Sequence, residues 1–233
     1  MPTGILINVF SVILGGLLGS VMGDRLSENY KNTLNMIFGL SAFGMGITVV
    51  ILMRNMPAVV FAVILGTSIG VFLHLGDCIT NGVTAVQQKM SGGQGNAQEL
   101  VTVIVLFCAS GTGIYGSLVS GMSGDHSVLI AKSILDFFTA MIFACRLGKI
   151  VSLVAIPQFI IMISLYLLAG VILPLTNDVM INDFKAVGGF IMLASGFRML
   201  QLKQFPTADM IPSMIVAMPI SWLWMTYILP LVS

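Results

Sequence analysis

Two opposite charges stand inside an otherwise apolar run. Lys132 and Asp136 are four residues apart, so they share one face of any helix that contains them, with Ser133 beside them. In hydrocarbon, a charge at the bilayer centre costs about 2.5–3.5 kcal/mol on insertion scales, so the pair must turn away from lipid. Three readings satisfy that requirement. The residues bridge each other as a buried structural ion pair, or a shallow Lys132 extends to the outer interface, or they contact a polar cavity and a solute. As a solute site the pair would answer a zwitterion such as an amino acid, or an amine. Alternatively, Asp136 would take a proton or small cation, with Lys132 as a tethered counter-cation.

The stretch before this pair is unusually polar for its setting. Gly111, Gly113 and Gly116 lie among Ser110, Thr112, Tyr115 and Ser117, followed by Ser120 and Gly121. A glycine-rich helix can break and expose backbone carbonyls, leaving Thr112, Tyr115 and Ser117 to line a polar path. It can equally be approached closely by a neighbour, with its hydroxyls bonded back to their own helix. Two amides, Asn8 and Gln158, also fall within apolar segments. Gln158 follows Pro157, which removes a backbone donor and frees a carbonyl upstream, so a helix break is expected there. Pro212 and Pro219 give a later segment the same character.

These groups must be carried by elements of a particular kind. The chain has 233 residues, 57% hydrophobic and only 8% charged, with a net charge of +1. So few charges cannot cover the surface of a soluble domain, and so apolar a chain does not remain disordered. A near-neutral charge also excludes nucleic acid as a partner. The expected fold is all-α and integral to the membrane, with eight spans at 4–23, 33–53, 56–76, 99–121, 127–145, 150–173, 185–201 and 208–231. The fifth carries Lys132 and Asp136, and the seventh is short and glycine-rich. The runs are too long, and too free of alternation, for membrane strands. The first span lacks the basic lead and the cleavage site of a signal peptide.

Lysine and arginine are distributed unevenly between the two sides of this arrangement. Arg25, Lys31, Lys89, Arg146, Lys149, Arg198 and Lys203 fall on one side, against Arg54 and Lys185 on the other. The bias places the basic loops in the cytoplasm and both termini outside. The longest loop, 77–98, contains a Ser-Gly-Gly-Gln-Gly-Asn tether and a stretch, 79–90, that suits a short interfacial helix. Cys78, Cys108 and Cys145 have no metal-ligand or disulfide spacing, His74 and His126 are far apart, and the 17 methionines form no ladder. No metal or other cofactor is expected.

Sliding the chain on itself by 150 residues aligns Asn8 with Gln158, Gly39 with Gly189, Gly46 with Gly196 and Leu17-Leu18-Gly19 with Leu167-Leu168-Ala169. A further shift of one residue aligns Met56-Pro57 with Phe205-Pro206. The chain is thus expected to be one membrane domain, 1–233, with repeat units 4–76 and 150–231 flanking a central pair of spans, 99–145. An offset of five spans would make the repeat an inverted one, the usual architecture of transporters.

The opening Met-Pro-Thr-Gly-Ile-Leu-Ile-Asn-Val with Gly15-Gly16-Leu-Leu-Gly19, and the block Gly111-Thr-Gly-Ile-Tyr-Gly-Ser117 to Ala131-Lys132-Ser133-Ile-Leu-Asp136, resemble the YdfK/YqgA-type family of bacterial inner-membrane proteins, a domain of unknown function. The resemblance implies a multi-pass protein of the bacterial plasma membrane and carries no substrate or catalytic residue. The residues themselves favour a transporter or channel for a small polar solute or ion. Its site would comprise Lys132, Asp136, Ser133, Thr112, Tyr115, Ser117, Asn8 and Gln158, with helix breaks at Gly111, Gly113, Gly116 and Pro157. A non-transporting scaffold or sensor is the alternative. An intramembrane enzyme is disfavoured, because no nucleophile–base or paired-carboxylate pattern is present. The expected partners are the bilayer and the solute, and a homo-oligomer is compatible with this composition.

Overall fold

A computed structural model of the chain describes residues 1–22, 27–79, 81, 103–104, 107–108 and 110–232. Among these the protein is all-helical. The helices are α1 (Thr3–Met22), α2 (Glu28–Val50), α3 (Met56–Phe72), α4 (Gly111–Ser123), α5 (Ser127–Leu147), α6 (Ile150–Leu153), α7 (Ala155–Ile172), α8 (Asp178–Met199), α9 (Ile211–Leu223) and α10 (Leu229–Val232). A 3-10 turn, Leu173–Leu175, follows α7, and a π turn, Trp224–Ile228, joins α9 to α10.

Five segments are long and apolar enough to cross a bilayer: Thr3–Met22, Asn32–Val50, Ser127–Cys145, Ile150–Ile172 and Ile211–Leu231. The apolar α3 is shorter. The helix expected at 185–201 begins earlier, at Asp178, because Asn177 accepts a hydrogen bond from Met180 N and caps it there. Most of the expected interfacial stretch 79–90 and the first part of the 99–121 span lie outside the described residues.

The burial pattern is that of a protein solvated by lipid. In α1 the buried positions are Gly4, Ile5, Asn8, Val12, Gly15, Gly16 and Gly19, while Phe10, Leu14, Leu17 and Leu18 are exposed. Small residues inside and large apolar ones outside let helix backbones approach each other while hydrocarbon covers the rest.

The chain divides into two compact units, one comprising Met1–Phe38 with Asp77–Gly170, the other Gly39–Gly76 with Val171–Ser233. In the first unit, α1 lies along α5, where Gly15 and Gly19 face the backbone carbonyls of Phe137 and Met141. Ser152 Oγ donates to Ile13 O at 3.1 Å beside Gly16. Val12, Phe107, Ala140, Ala144, Val151 and Ala155 close an apolar core around these contacts. In the second unit, α3 packs on α9, with Gly66 against the Ser213 backbone and Gly70 against that of Asp209. There the second half of α2 crosses α8, with Gly46 at Gly189 and Gly39 at Gly196.

Candidate functional site

The first unit contains a buried polar quartet assembled from three helices. Lys132 and Asp136 sit one turn apart on α5, and Lys132 Nζ reaches both carboxylate oxygens, at 2.8 Å to Oδ1 and 2.6 Å to Oδ2. Asn8 of α1 donates through Nδ2 to Asp136 Oδ2 at 2.8 Å. Gln158 of α7 donates through Nε2 to Asn8 Oδ1 at 2.7 Å and to Asp136 Oδ2 at 3.1 Å. Asn8 and Gln158 are wholly buried, and Lys132 is 3% exposed.

The amide orientations follow from the carboxylate. Asp136 Oδ2 only accepts, so Asn8 must present its nitrogen to it, which turns Asn8 Oδ1 toward Gln158 and requires the nitrogen of Gln158 in return. Gln158 Oε1 is left over. It is the one buried side-chain nitrogen or oxygen among the described residues with no hydrogen-bond partner. Such an atom forfeits its hydration without replacement, at a cost of about 1–3 kcal/mol.

Local sequence explains how each member arrives. Pro157 has no N–H to offer the Leu153 carbonyl, and the helix is interrupted at Val154 between α6 and α7. Gln158 N resumes the regular pattern by bonding Val154 O at 3.2 Å. Gly113 of α4 faces the end of the lysine stem, since a methyl group there would stand 3.1 Å from Lys132 Cε. The Phe107 ring centroid lies 5.8 Å from Nζ, a cation–π distance.

The remaining candidates take other places. Ser133 donates to Leu129 O at 2.6 Å and Ser117 to Gly113 O at 2.7 Å, both on their own helices. Thr112 shares a 2.6 Å hydrogen bond with Ser110, and Tyr115 is 2% exposed. The helix breaks expected at Gly113 and Gly116 are corrected, because both residues lie inside the continuous helix α4. Gly116 instead accommodates Leu129. The interruption is at Ser110, which is extended and accepts from Gly113 N, so that α4 starts at Gly111.

The second unit holds a polar cluster that residue spacing did not reveal. The carboxylate of Asp183, on α8, is 1% exposed. Its Oδ1 accepts from Arg54 N at 2.8 Å and Asn55 N at 2.9 Å. Its Oδ2 accepts from Asn55 Nδ2 at 2.9 Å and Ser221 Oγ at 2.6 Å. The signal in the sequence was Asn55 two residues before Pro57, a helix start whose exposed N–H groups attract a carboxylate.

Apolar helices that bury small residues and enclose an ion pair define an integral membrane protein. The chain belongs to the family described as "Protein of unknown function (DUF554)", whose model matches residues 3–222. It is 46% identical over 230 residues to the uncharacterized protein YqgA of Escherichia coli (strain K12), covering 96% of this chain and 98% of the relative. It is 26% identical over 214 residues to the uncharacterized membrane protein YdfK of Bacillus subtilis (strain 168), covering 91% and 93%. No solved structure matches it.

Proposed function

We propose that the protein is a transporter or channel for a small polar solute or ion in the bacterial inner membrane, with the quartet Asn8–Lys132–Asp136–Gln158 at its site. The observation that carries this reading is a buried ion pair gathered by amides from two other helices, with one amide oxygen left unpartnered. Intramembrane ionisable groups are rare and mark solute or ion pathways.

The helix contacts support an inverted repeat. Asn8 bonds Gln158, its own counterpart at an offset of 150 residues, and Ser213 Oγ bonds Val63 O at the same offset. A Cβ at Gly39 would meet Gly196 O at 3.1 Å and one at Gly46 would meet Gly189 O at 2.9 Å. Exchanging each residue for its counterpart turns one of these contacts into the other. The partners also run antiparallel: along α1 and α7, and along α2 and α8, one residue number rises as the other falls. Within each unit taken by itself, this is the relation that a two-fold axis perpendicular to its helices produces, and transporters place their sites between such repeats.

The test is the double variant Lys132→Met with Asp136→Leu, which removes both charges. Removing one partner of a buried pair costs about 3–5 kcal/mol, whereas replacing both with apolar groups is often close to neutral. In proteoliposomes assayed with monovalent cations, amino acids and amines, the parent is expected to carry flux and the stable double variant none. Full flux through the double variant would show that these residues are structural only.

A further inference from the structure

The second unit carries an apolar groove along α3, with a volume of about 670 Å³, in the range of small-molecule sites. Val63, Ile64, Val71 and Phe72 form one wall, and Phe205 and Met210 contribute to the other. Two hydroxyls lie on the α3 side, and both are engaged within the protein. Ser68 Oγ donates to Ile64 O at 2.8 Å, and Thr67 Oγ1 shares a 3.4 Å hydrogen bond with Ser213. The rest of the lining is hydrocarbon, so the groove suits an apolar chain and not the polar solute proposed above.

Its dimensions fit one leaflet. Ile64, Val71 and Phe72 are each more than half exposed, so the groove is open on its outer side. From Val63 to Phe72 the helix rises about 14 Å, close to half of a hydrocarbon core about 30 Å thick.

One end of the groove carries cations. Gly66 packs at Ser213 and Gly70 at Asp209, an antiparallel register that sets Phe205 and Pro206 at the C-terminal end of α3. There the Phe205 ring lies 5.6 Å from that of Phe197, and Arg198 Nη1 donates to Thr207 Oγ1 at 3.3 Å. Among the described residues this is the only side-chain hydrogen bond of Arg198, and a guanidinium has five N–H donors. Lys203, two residues before Phe205, is exposed. The carboxylate of Asp209 is at the same end, where its Oδ1 accepts from Gly76 N at 2.8 Å, and the exposed Asp77 follows Gly76. What sets this end apart is a guanidinium and an ammonium with unengaged donors beside an apolar groove.

We propose that the groove holds an acyl chain of an anionic phospholipid whose phosphate is bound by Arg198 and Lys203. Arginine pairs bidentately with phosphate oxygens, and cations beside membrane helices on the cytoplasmic side recruit anionic headgroups. Both residues belong to the side that the lysine and arginine bias assigns to the cytoplasm. The site uses no residue of the quartet, so it stands or falls independently of transport.

The experiment uses the full chain, delipidated in detergent and titrated with phosphatidylglycerol or phosphatidylcholine bearing identical chains. Retained lipid is counted by native mass spectrometry. Ser68→Trp fills the groove from its open side, so the site is read as the one tightly held lipid that this variant lacks. The parent is expected to prefer phosphatidylglycerol about 25-fold, at about fivefold per cation. Arg198→Gln with Lys203→Gln should abolish that preference and leave phosphatidylcholine binding unchanged. Glycerol 3-phosphate, a headgroup without chains, should not compete.

Equal affinity for the two lipids, an undiminished preference in the double variant, or full retention by Ser68→Trp would overturn the proposal. Displacement by glycerol 3-phosphate would also overturn it, in favour of a site for soluble phosphate. A parent dimer that Ser68→Trp converts to a monomer in light scattering would overturn it in favour of an interface between copies. Should Ser68→Trp not fold, the double variant decides alone, since both of its positions are exposed.

Discussion

Asp183 should be the most damaging single truncation in the second unit. Its carboxylate accepts four hydrogen bonds, and three of the donors, Asn55 N, Asn55 Nδ2 and Ser221 Oγ, belong to buried residues. Asp183→Ala strands them at about 1–3 kcal/mol each. Ser221 can recover part of this by turning to its own helix, so the net loss is about 3–6 kcal/mol. That is a large share of the 5–15 kcal/mol typical of a folded protein. Asp183→Asn is far milder. Its oxygen keeps Arg54 N and Asn55 N, and its new NH2 can donate to a rotated Ser221 hydroxyl or to a flipped Asn55 amide, for about 1–2 kcal/mol. Ser221→Ala removes one hydrogen bond to a charged group, at about 1.5–3 kcal/mol. The two tryptophans of the chain, Trp222 and Trp224, stand beside Ser221, so their fluorescence during denaturant titration in detergent follows this unit. The expected order has Asp183→Ala well below both other variants. An alanine variant as stable as the asparagine one would show that this carboxylate does not anchor the start of α3 to α8 and α9.

Glycines divide into two classes that a melting series should separate. A side chain at Gly19 would collide with the Met141 carbonyl, so Gly19→Val should cost about 1–3 kcal/mol or more, and the same holds for Gly66 against Ser213. A methyl group at Gly44 or Gly170 meets nothing within 4 Å, so alanine there should be neutral, or stabilising by up to about 1 kcal/mol through helix propensity. For orientation, reporter fusions after Ser233 should report the periplasm and fusions in the 91–96 tract the cytoplasm, following the cation bias. Both reporters on one side would refute the eight-span arrangement.

Much of the candidate site could be anticipated because its determinants are local. Four residues make about one helical turn, so Lys132 and Asp136 had to share a face. A proline lacking its N–H had to disturb the turn before Gln158. The readings that failed concern residues with two stable local outcomes. Gly113 and Gly116 permit either a broken helix or a close neighbour, and the choice depends on what packs there: the Lys132 stem and Leu129. Asp183 escaped notice because its four donors lie 38 or more residues away along the chain.

By itself, the sequence determined that this is a membrane protein of long apolar helices. Too few charges exist to cover a water-facing surface, and that count does not depend on how the chain folds. It also determined that Lys132 and Asp136 share one face, since helical geometry stacks residues one turn apart; that they bond each other is a finding of the structure. Only the tertiary structure decided that Asn8 and Gln158 close over that pair. Their approach depends on how nearly α1 can lie to α5, where Gly15 and Gly19 leave the Phe137 and Met141 carbonyls room. It depends as well on where α7 resumes after its interruption at Val154. Such distances are set by the fit of whole helix surfaces, summed over many small contacts, and no short stretch of residues encodes them.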